Sequence, residues 1–272
     1  MTITVVPHDD PAALLQRARP FLLRHEAETS LILGIAQGLP PQQRGPLMLT
    51  VERNDEVHAV ALRIPPHNLL VTTMEPDERA ALRTALPKLA SDLPGLTGPS
   101  ATVEDLRAAW PHARLTLRMR LHRLERLIEP PVPAGEVRLA TAADADALTS
   151  WAQGFTDESG SDDPRPGAEV LAPYLRNGTL YVWQNGDIRS MVGWSRDTPN
   201  GASISMVYTP SAHRGCGYAT ALVAHVSRLL LSRGKRFCVL FTNLANPTAN
   251  AIYARIGYEP LQDVDTWSLR AP

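Results

Sequence analysis

The sequence is short of several things that would each assign it to a class. Its 272 residues include 2 cysteines, Cys216 and Cys238, too few for a disulfide framework. No apolar run approaches the roughly 18 residues that a membrane-spanning helix requires. The first ten residues have neither a basic start nor an apolar stretch, so no secretory signal is expected. Lysine is almost missing: Lys88 and Lys235 are the exceptions among 27 basic residues, the others being arginine. An excess of one charge is missing too, because 28 acidic residues bring the net charge to -1. Residues 1–130 carry 15 basic and 15 acidic side chains, and the remainder 12 and 13, so neither part has the field of a dedicated nucleic-acid binder. The eight histidines (8, 25, 58, 67, 112, 122, 213 and 225) show no metal-ligand spacing, and no metal is expected. The expectation is a soluble, cytoplasmic protein with neither a membrane nor a nucleic acid as partner.

What is present is core-forming material, 44 % hydrophobic against 20 % charged. The stretch Glu129-Pro130-Pro131-Val132-Pro133-Ala134-Gly135 cannot continue a helix and stays extended. It predicts a boundary between a domain over 1–130 and another over 136–272, each of ordinary domain size.

The two parts read in the same order. Each opens with a short strand, at 3–6 or 136–139, followed by a helical stretch from Pro11 or Ala142. A hairpin comes next, 47–52 with 57–63 in one part and 180–184 with 188–194 around Asn185-Gly186-Asp187 in the other. Another strand (69–72; 202–208), an amphipathic helix (77–91; 217–233) and a strand-helix-strand passage complete each. This is an internal duplication of pattern rather than of residues, and two unrelated α/β domains would produce the same order.

The chemistry is concentrated in residues 202–258. A strand over 202–208 stops at Thr209-Pro210, where proline removes a ladder donor. His213-Arg214-Gly215-Cys216-Gly217-Tyr218-Ala219-Thr220 follows and leads into a helix with Ala219, Leu222, Val223, Val226, Leu229 and Leu230 on one face. A strand, a glycine turn and a helix N-terminus make an anion site, since backbone N–H groups converge there and the helix dipole adds to the attraction. The loop lacks the third glycine of a dinucleotide fingerprint and the Gly-Lys-Ser/Thr of a P-loop. A purely structural turn would use the same small residues.

A continuous apolar strand is expected over 237–242, and then Asn246-Pro247-Thr248-Ala249-Asn250-Ala251-Ile252-Tyr253-Ala254-Arg255-Ile256-Gly257-Tyr258. Asn246 suits an N-cap, Pro247 a first helical position and Gly257 a C′ cap. Tyr253 is not explained by capping.

Arg214-x-x-Gly217-x-Ala219 resembles the pyrophosphate signature of the GCN5-related N-acetyltransferases. Asn246-x6-Tyr253, followed by x3-Gly257 and the aromatic Tyr258, resembles their second signature. The similarity covers about 136–270, with the residue-level signature in 207–258, and it matches the tandem type with an FR47-like catalytic C-terminal domain. The resemblance implies an α/β (α+β) fold of two such domains, each a mixed, mostly antiparallel sheet flanked by helices. Acetyl-CoA would be the co-substrate, its pantetheine arm in a gap between two splayed strands beside Val207 and Tyr208. Gly215, Cys216, Gly217, Tyr218, Ala219 and Thr220 would hold the pyrophosphate through backbone N–H groups, with the Arg214 side chain near the phosphates. Asn246 would touch the arm, and Tyr253 would be general acid to the thiolate. The reaction implied is direct acetyl transfer to a primary amine of a small molecule or peptide, by a monomer or homodimer. A non-catalytic acyl-CoA-binding module and a transferase of longer acyl groups are the alternatives.

The resemblance fails at one point. Many relatives carry a carboxylate on the strand before the loop, whereas Ala202-Ser203-Ile204-Ser205-Met206-Val207-Tyr208 has none. Water or a carboxylate from Thr156-Asp157-Glu158-Ser159-Gly160-Ser161-Asp162-Asp163 must then take the amine proton, with Glu158 or Asp157 as candidate base. That acidic run reads equally as a solvated loop. Cys216 in the loop has no paired His or third triad member, His213 reads either as orienting a phosphate or as an exposed loop residue, and the alternating run 115–122 reads as a half-buried strand with a basic face. The first half has Thr73-Met74-Glu75-Pro76-Asp77 where the anion loop would be, so it is expected to be a degenerate copy that holds no CoA.

Overall fold

The structure is a computed structural model, and it describes residues 2–160 and 165–270. The chain divides into two compact units, one of Met1–Leu121 with Leu261–Pro272 and the other of His122–Pro260. In chain order the first stretch gives β1 (Ile3–Pro7), α1 (Pro11–Arg24), α2 (Glu26–Gly38), β2 (Leu47–Arg53), β3 (Glu56–Arg63) and β4 (Leu69–Val71). It continues with α3 (Pro76–Leu89), β5 (Gly95–Pro99), α4 (Ser100–Leu106) and β6 (Arg114–Leu124). The second stretch gives β7 (Glu136–Leu139), α5 (Ala145–Ser159), α6 (Gly167–Arg176), β8 (Leu180–Asn185) and β9 (Asp187–Ser195). It ends with β10 (Gly201–Tyr208), α7 (Tyr218–Ser232), β11 (Phe237–Asn243), α8 (Pro247–Arg255) and β12 (Glu259–Ser268).

The fold is mixed α/β, with mostly antiparallel open sheets flanked by helices, as the resemblance implies. In the first unit the strand order is β1-β2-β3-β4-β5-β12-β6, and in the second β11-β10-β9-β8-β7. The pairs β1–β2, β2–β3 and β3–β4 are antiparallel and β4–β5 is parallel. In the second unit β7–β8, β8–β9 and β9–β10 are antiparallel and β10–β11 is parallel. Two helices follow the first strand of each series, and one helix makes the crossover between the parallel strands. The duplication read in the pattern is therefore present in the topology.

The division into units departs from a cut at the proline-rich stretch. β12 lies with the first unit, where Val264 to Ser268 pair with Pro99 to Gly95 and Arg120 grips Asp263 with its Nε and Nη2 at 2.6 and 3.0 Å. Residues 122–135 lie with the second unit, where the Trp183 indole donates to the Ala134 carbonyl at 3.0 Å. Proline sets where helices stop, but ladder pairing sets which unit a strand joins.

In the second unit each sheet face has its own core. Leu222, Val223, Val226 and Leu230 of α7 pack on Ala202, Ile204, Val192 and Leu240. Leu148 and Ala152 of α5 and Leu171 of α6 pack on Leu180, Val182, Met191 and Met206. β10 is thus covered on both sides, which fixes where its C-terminal end delivers the loop.

Candidate active site

β10 and β11 pair only from Gly201↔Phe237 to Ser203↔Val239. Past Ser203 the parallel ladder stops, although β10 continues to Tyr208 and β11 to Asn243. The register of β10 against β9 also shifts between Ser205 and Tyr208, and Met206 has φ +53. A bulge inserts a residue and increases local twist, turning the strand away from a straight ladder. The edge of β10 facing β11 is open from this point, which leaves a gap between the two strands.

The gap leads to the loop. A 3-10 turn at Ser211–His213 passes through Arg214 to Gly215 and Gly217, at φ +78 and +82. These left-handed values favour glycine, and a Cβ at either position would meet nothing within 4 Å, so conformation rather than crowding selects the residue. Gly217 is the N-cap of α7, and its carbonyl accepts from the Ala221 N–H at 3.0 Å. Among the described residues, none accepts a hydrogen bond from the N–H groups of Gly215 to Thr220. Gly215, Cys216 and Gly217 are exposed. Unpartnered, exposed donors at a helix N-terminus fit a phosphate.

Arg214 does not reach over that loop in this structure. Its Nη2 donates to both carboxylate oxygens of Glu158 at 2.9 and 2.8 Å, and its Nε donates to the Thr209 carbonyl at 2.8 Å. The Tyr208 hydroxyl also donates to Glu158, at 3.3 Å. Gly154 and Glu158 share a face of α5, and a Cβ at Gly154 would fall 2.6 Å from the Tyr208 oxygen. Burial, followed by the Glu158 charge, holds the Tyr208 phenol above its usual pKa. The two candidates named separately in the sequence, Arg214 and Glu158, are therefore bound to each other. Asp157, the other candidate base, accepts from Gln153 Nε2 at 2.8 Å. Ser161, Asp162 and Asp163 lie outside the described residues.

α8 carries the second signature. Asn246 caps it, its Oδ1 accepting from the Ala249 N–H at 3.0 Å. Gly257, at φ +98, ends it, and a Cβ there would come within 2.6 Å of the Arg126 carbonyl oxygen. The Tyr258 N–H returns to the Tyr253 carbonyl at 3.0 Å, and the Tyr258 hydroxyl meets Ser227 on α7 at 2.9 Å. Gly257 and Tyr258 are thus structural: they stop the helix and tie it to α7. Their effect is to hold Tyr253, whose ring lies 5.9 Å edge-on from that of Tyr258. Tyr253 is 7 % exposed, and its hydroxyl has no hydrogen-bond partner among the described residues, nor is it sealed from solvent. Burial raises its pKa well above that of an ordinary phenol. The proton stays on the hydroxyl throughout the neutral range.

Of the remaining residues, Val207 lies in the bulged stretch, half-buried. The Tyr208 carbonyl accepts from the Ser190 hydroxyl at 3.1 Å. The Tyr218 ring lies 6.2 Å from that of Trp183, and its hydroxyl accepts from Asn185 at 3.3 Å. Cys216 is exposed, whereas Cys238 is buried with its thiol pushed up to about 12 by desolvation. The sequence reading did not single out Arg189, which donates to the Asn185 carbonyl and lies 3.2 Å from His213 Nε2. Nor did it single out Tyr174, whose hydroxyl meets Ser205 at 2.8 Å. Among the described residues no group of three His, Cys, Asp or Glu could hold a metal ion, and no helix is long and apolar enough to cross a membrane.

Residues 182–268 match the family model of the FR47-like protein. No curated protein matches the chain. Several solved structures do. A GCN5-related N-acetyltransferase from Sphaerobacter thermophilus is 17 % identical, with a TM-score of 0.69 over 98 % of this chain and 96 % of that one. A tandem GNAT protein from the clavulanic acid biosynthesis pathway is 14 % identical, with a TM-score of 0.58 over all of both chains. A GCN5-related N-acetyltransferase from Kribbella flavida is 19 % identical, with a TM-score of 0.56 over 77 % of this chain and 86 % of that one. At these identities the likeness is one of fold, and it extends over the whole chain: the protein has the fold of the GCN5-related N-acetyltransferases, with an FR47-like segment over 182–268.

Proposed function

We propose that this protein transfers the acetyl group of acetyl-CoA directly to a primary amine, with the second unit as the catalytic part. The observation that carries the reading is the parallel ladder that stops at Ser203↔Val239 and opens toward a loop of unpartnered N–H donors. Acetyl-CoA would supply the activated thioester. The N–H groups from Gly215 to Thr220 would hold the pyrophosphate, and Arg214 would join them once it leaves Glu158. Val207, Tyr208 and Asn246 would line the arm. Positioning is the main term, since an amine held against a thioester needs no encounter step.

The amine must arrive neutral, so its proton passes to water or to a carboxylate, for which Glu158 is the candidate. The C–N bond forms as the C–S bond breaks, and the sulfur leaves with the electron pair. Tyr253 donates its proton to that sulfur. Because burial disfavours the phenolate, the hydroxyl is a donor at every physiological pH and recovers its proton promptly from solvent.

Tyr253→Phe is the test, read as thiol release with a panel of amines. We expect kcat to fall by about 10²-fold or more while the KM for acetyl-CoA changes less than about threefold. The raised phenol pKa adds a sign: wild-type kcat should not decline between pH 8 and 10 through loss of the Tyr253 proton. An unchanged kcat would remove the proton-donor role. Tight acetyl-CoA binding without turnover of any amine would mark a non-catalytic module.

A further inference from the structure

Arg196 follows β9 in a conformation that few side chains adopt, with φ +51. The turn that holds it is braced: the Thr198 N–H donates to the Gly201 carbonyl at 2.9 Å, and the Gly201 N–H to the Thr198 hydroxyl at 3.2 Å. Glycine or asparagine is the natural occupant of such a position, so an arginine kept there points to what its side chain does.

That side chain is half-buried and lies over the α5–α6 face of the sheet. Its Nη1 makes one long hydrogen bond, 3.4 Å to the Ser203 hydroxyl. Among the described residues no carboxylate pairs with it. The neighbouring acid, Asp197, forms its ion pair with Lys235 instead. Burial lowers the Arg196 pKa, yet a guanidinium remains charged at neutral pH. A partly desolvated charge with a single weak partner is costly unless an anion completes it.

The surroundings supply further donors. Ser203 and Ser205 pair across the ladder with Ser195 and Gly193, so both hydroxyls point to one face. The Tyr174 ring lies against Gly193, where a Cβ would meet its Cδ1 at 2.7 Å, and its hydroxyl is 2.8 Å from that of Ser205. This cluster flanks the end of the β10–β11 ladder, where the gap begins. Two of its members, Ser203 and Ser205, lie on the strand that lacks a carboxylate.

We propose that Arg196, Ser205 and Tyr174 bind the carboxylate of the acceptor, with the buried Ser203 steadying the guanidinium, which makes the acceptor an amino acid or a similar carboxylate-bearing amine. This rests on the acyl-transfer reading above. One guanidinium fork and neutral hydroxyls suit a planar monoanion, and the other nearby cation, Lys235, is already paired. A carboxylate held there leaves its amine beside the closed end of the gap, where a thioester in the gap would end.

The test is calorimetry with a panel of N-acetyl-amino acids, the products of such a reaction, against their primary amides. Wild type should bind at least one acid about tenfold or more tightly than its amide, the difference expected for one charged pair. Arg196→Gly and Arg196→Asn should bring the two within about twofold of each other while melting no lower than wild type, since both residues accept the left-handed conformation. Acetyl-CoA affinity should be the same in all three. No preference for any acid, or a preference that survives both substitutions, would overturn the proposal. Acetyl-CoA binding without a carboxylate preference would sink the acceptor class alone. A carboxylate preference without acetyl-CoA binding would support the anion site and sink the acyl-transfer reading.

Discussion

At the scale of single residues, the engaged state of Arg214 matters more than its presence in a motif. Arg214 and Glu158 are each about half exposed, at 48 % and 53 % of the side chain. Such a pair is worth about 0–1 kcal/mol, little enough for a pyrophosphate to take the arginine away. Binding of the cofactor would then release Glu158 from the contact that occupies both its oxygens. Glu158→Gln separates the consequences. Freed from the carboxylate, Arg214 should tighten the acetyl-CoA Kd by up to about fivefold. If Glu158 takes the amine proton, kcat/KM for the amine should also fall by about 10²-fold. A retained kcat/KM would leave Glu158 as the tether of Arg214 alone. The glycine turn ahead of α7 and the place of Tyr253 on α8 were legible in the sequence because both depend on local spacing. Tyr174 with Ser205 and Arg196 with Ser203 were not, because each pair is made by strand register and a turn that no short window contains.

At the scale of elements, α8 is a short helix whose ends do the positioning. Its burial is slight apart from Tyr253, so capping by Asn246 and termination at Gly257 determine where the phenol points. Gly257→Ala would place a methyl group 2.6 Å from the Arg126 carbonyl at a φ that alanine avoids. The variant should lose about 1–3 kcal/mol of stability, and its kcat should fall more than its acetyl-CoA affinity, because Tyr253 shifts while the loop stays. Chemical denaturation beside thiol-release kinetics reads both, and equal losses in kcat and affinity would deny α8 this separate role. The strands and α7 were legible from period and turn signals. The bulge at Met206 was not, since methionine carries no signal for a left-handed residue. α6 was hidden because Gly167 and Pro173 speak against a helix, although Gly167 is there for its close approach to the Thr149 carbonyl on α5.

At the scale of the whole molecule, the duplicated topology was legible but the ownership of the last strand was not. Pattern assigns β12 to the second repeat, whereas backbone pairing and the Arg120–Asp263 contact place it in the first unit. Leu269 and Trp267 likewise join the core of Leu96, Val103 and Leu106. A fragment cut by sequence pattern, 136–272, would carry β12 without the β5 edge it pairs with. Bare strand edges with apolar side chains promote association. The fragment 122–260 instead keeps one whole compact unit and drops all but the first two residues of β12. We expect 122–260 to stay monomeric and to protect the amides of α7 and β11 from hydrogen exchange, and 136–272 to aggregate or to leave 259–268 unprotected. The reverse order of solubility and protection would show that the repeats, rather than the strand ladders, define the folding units.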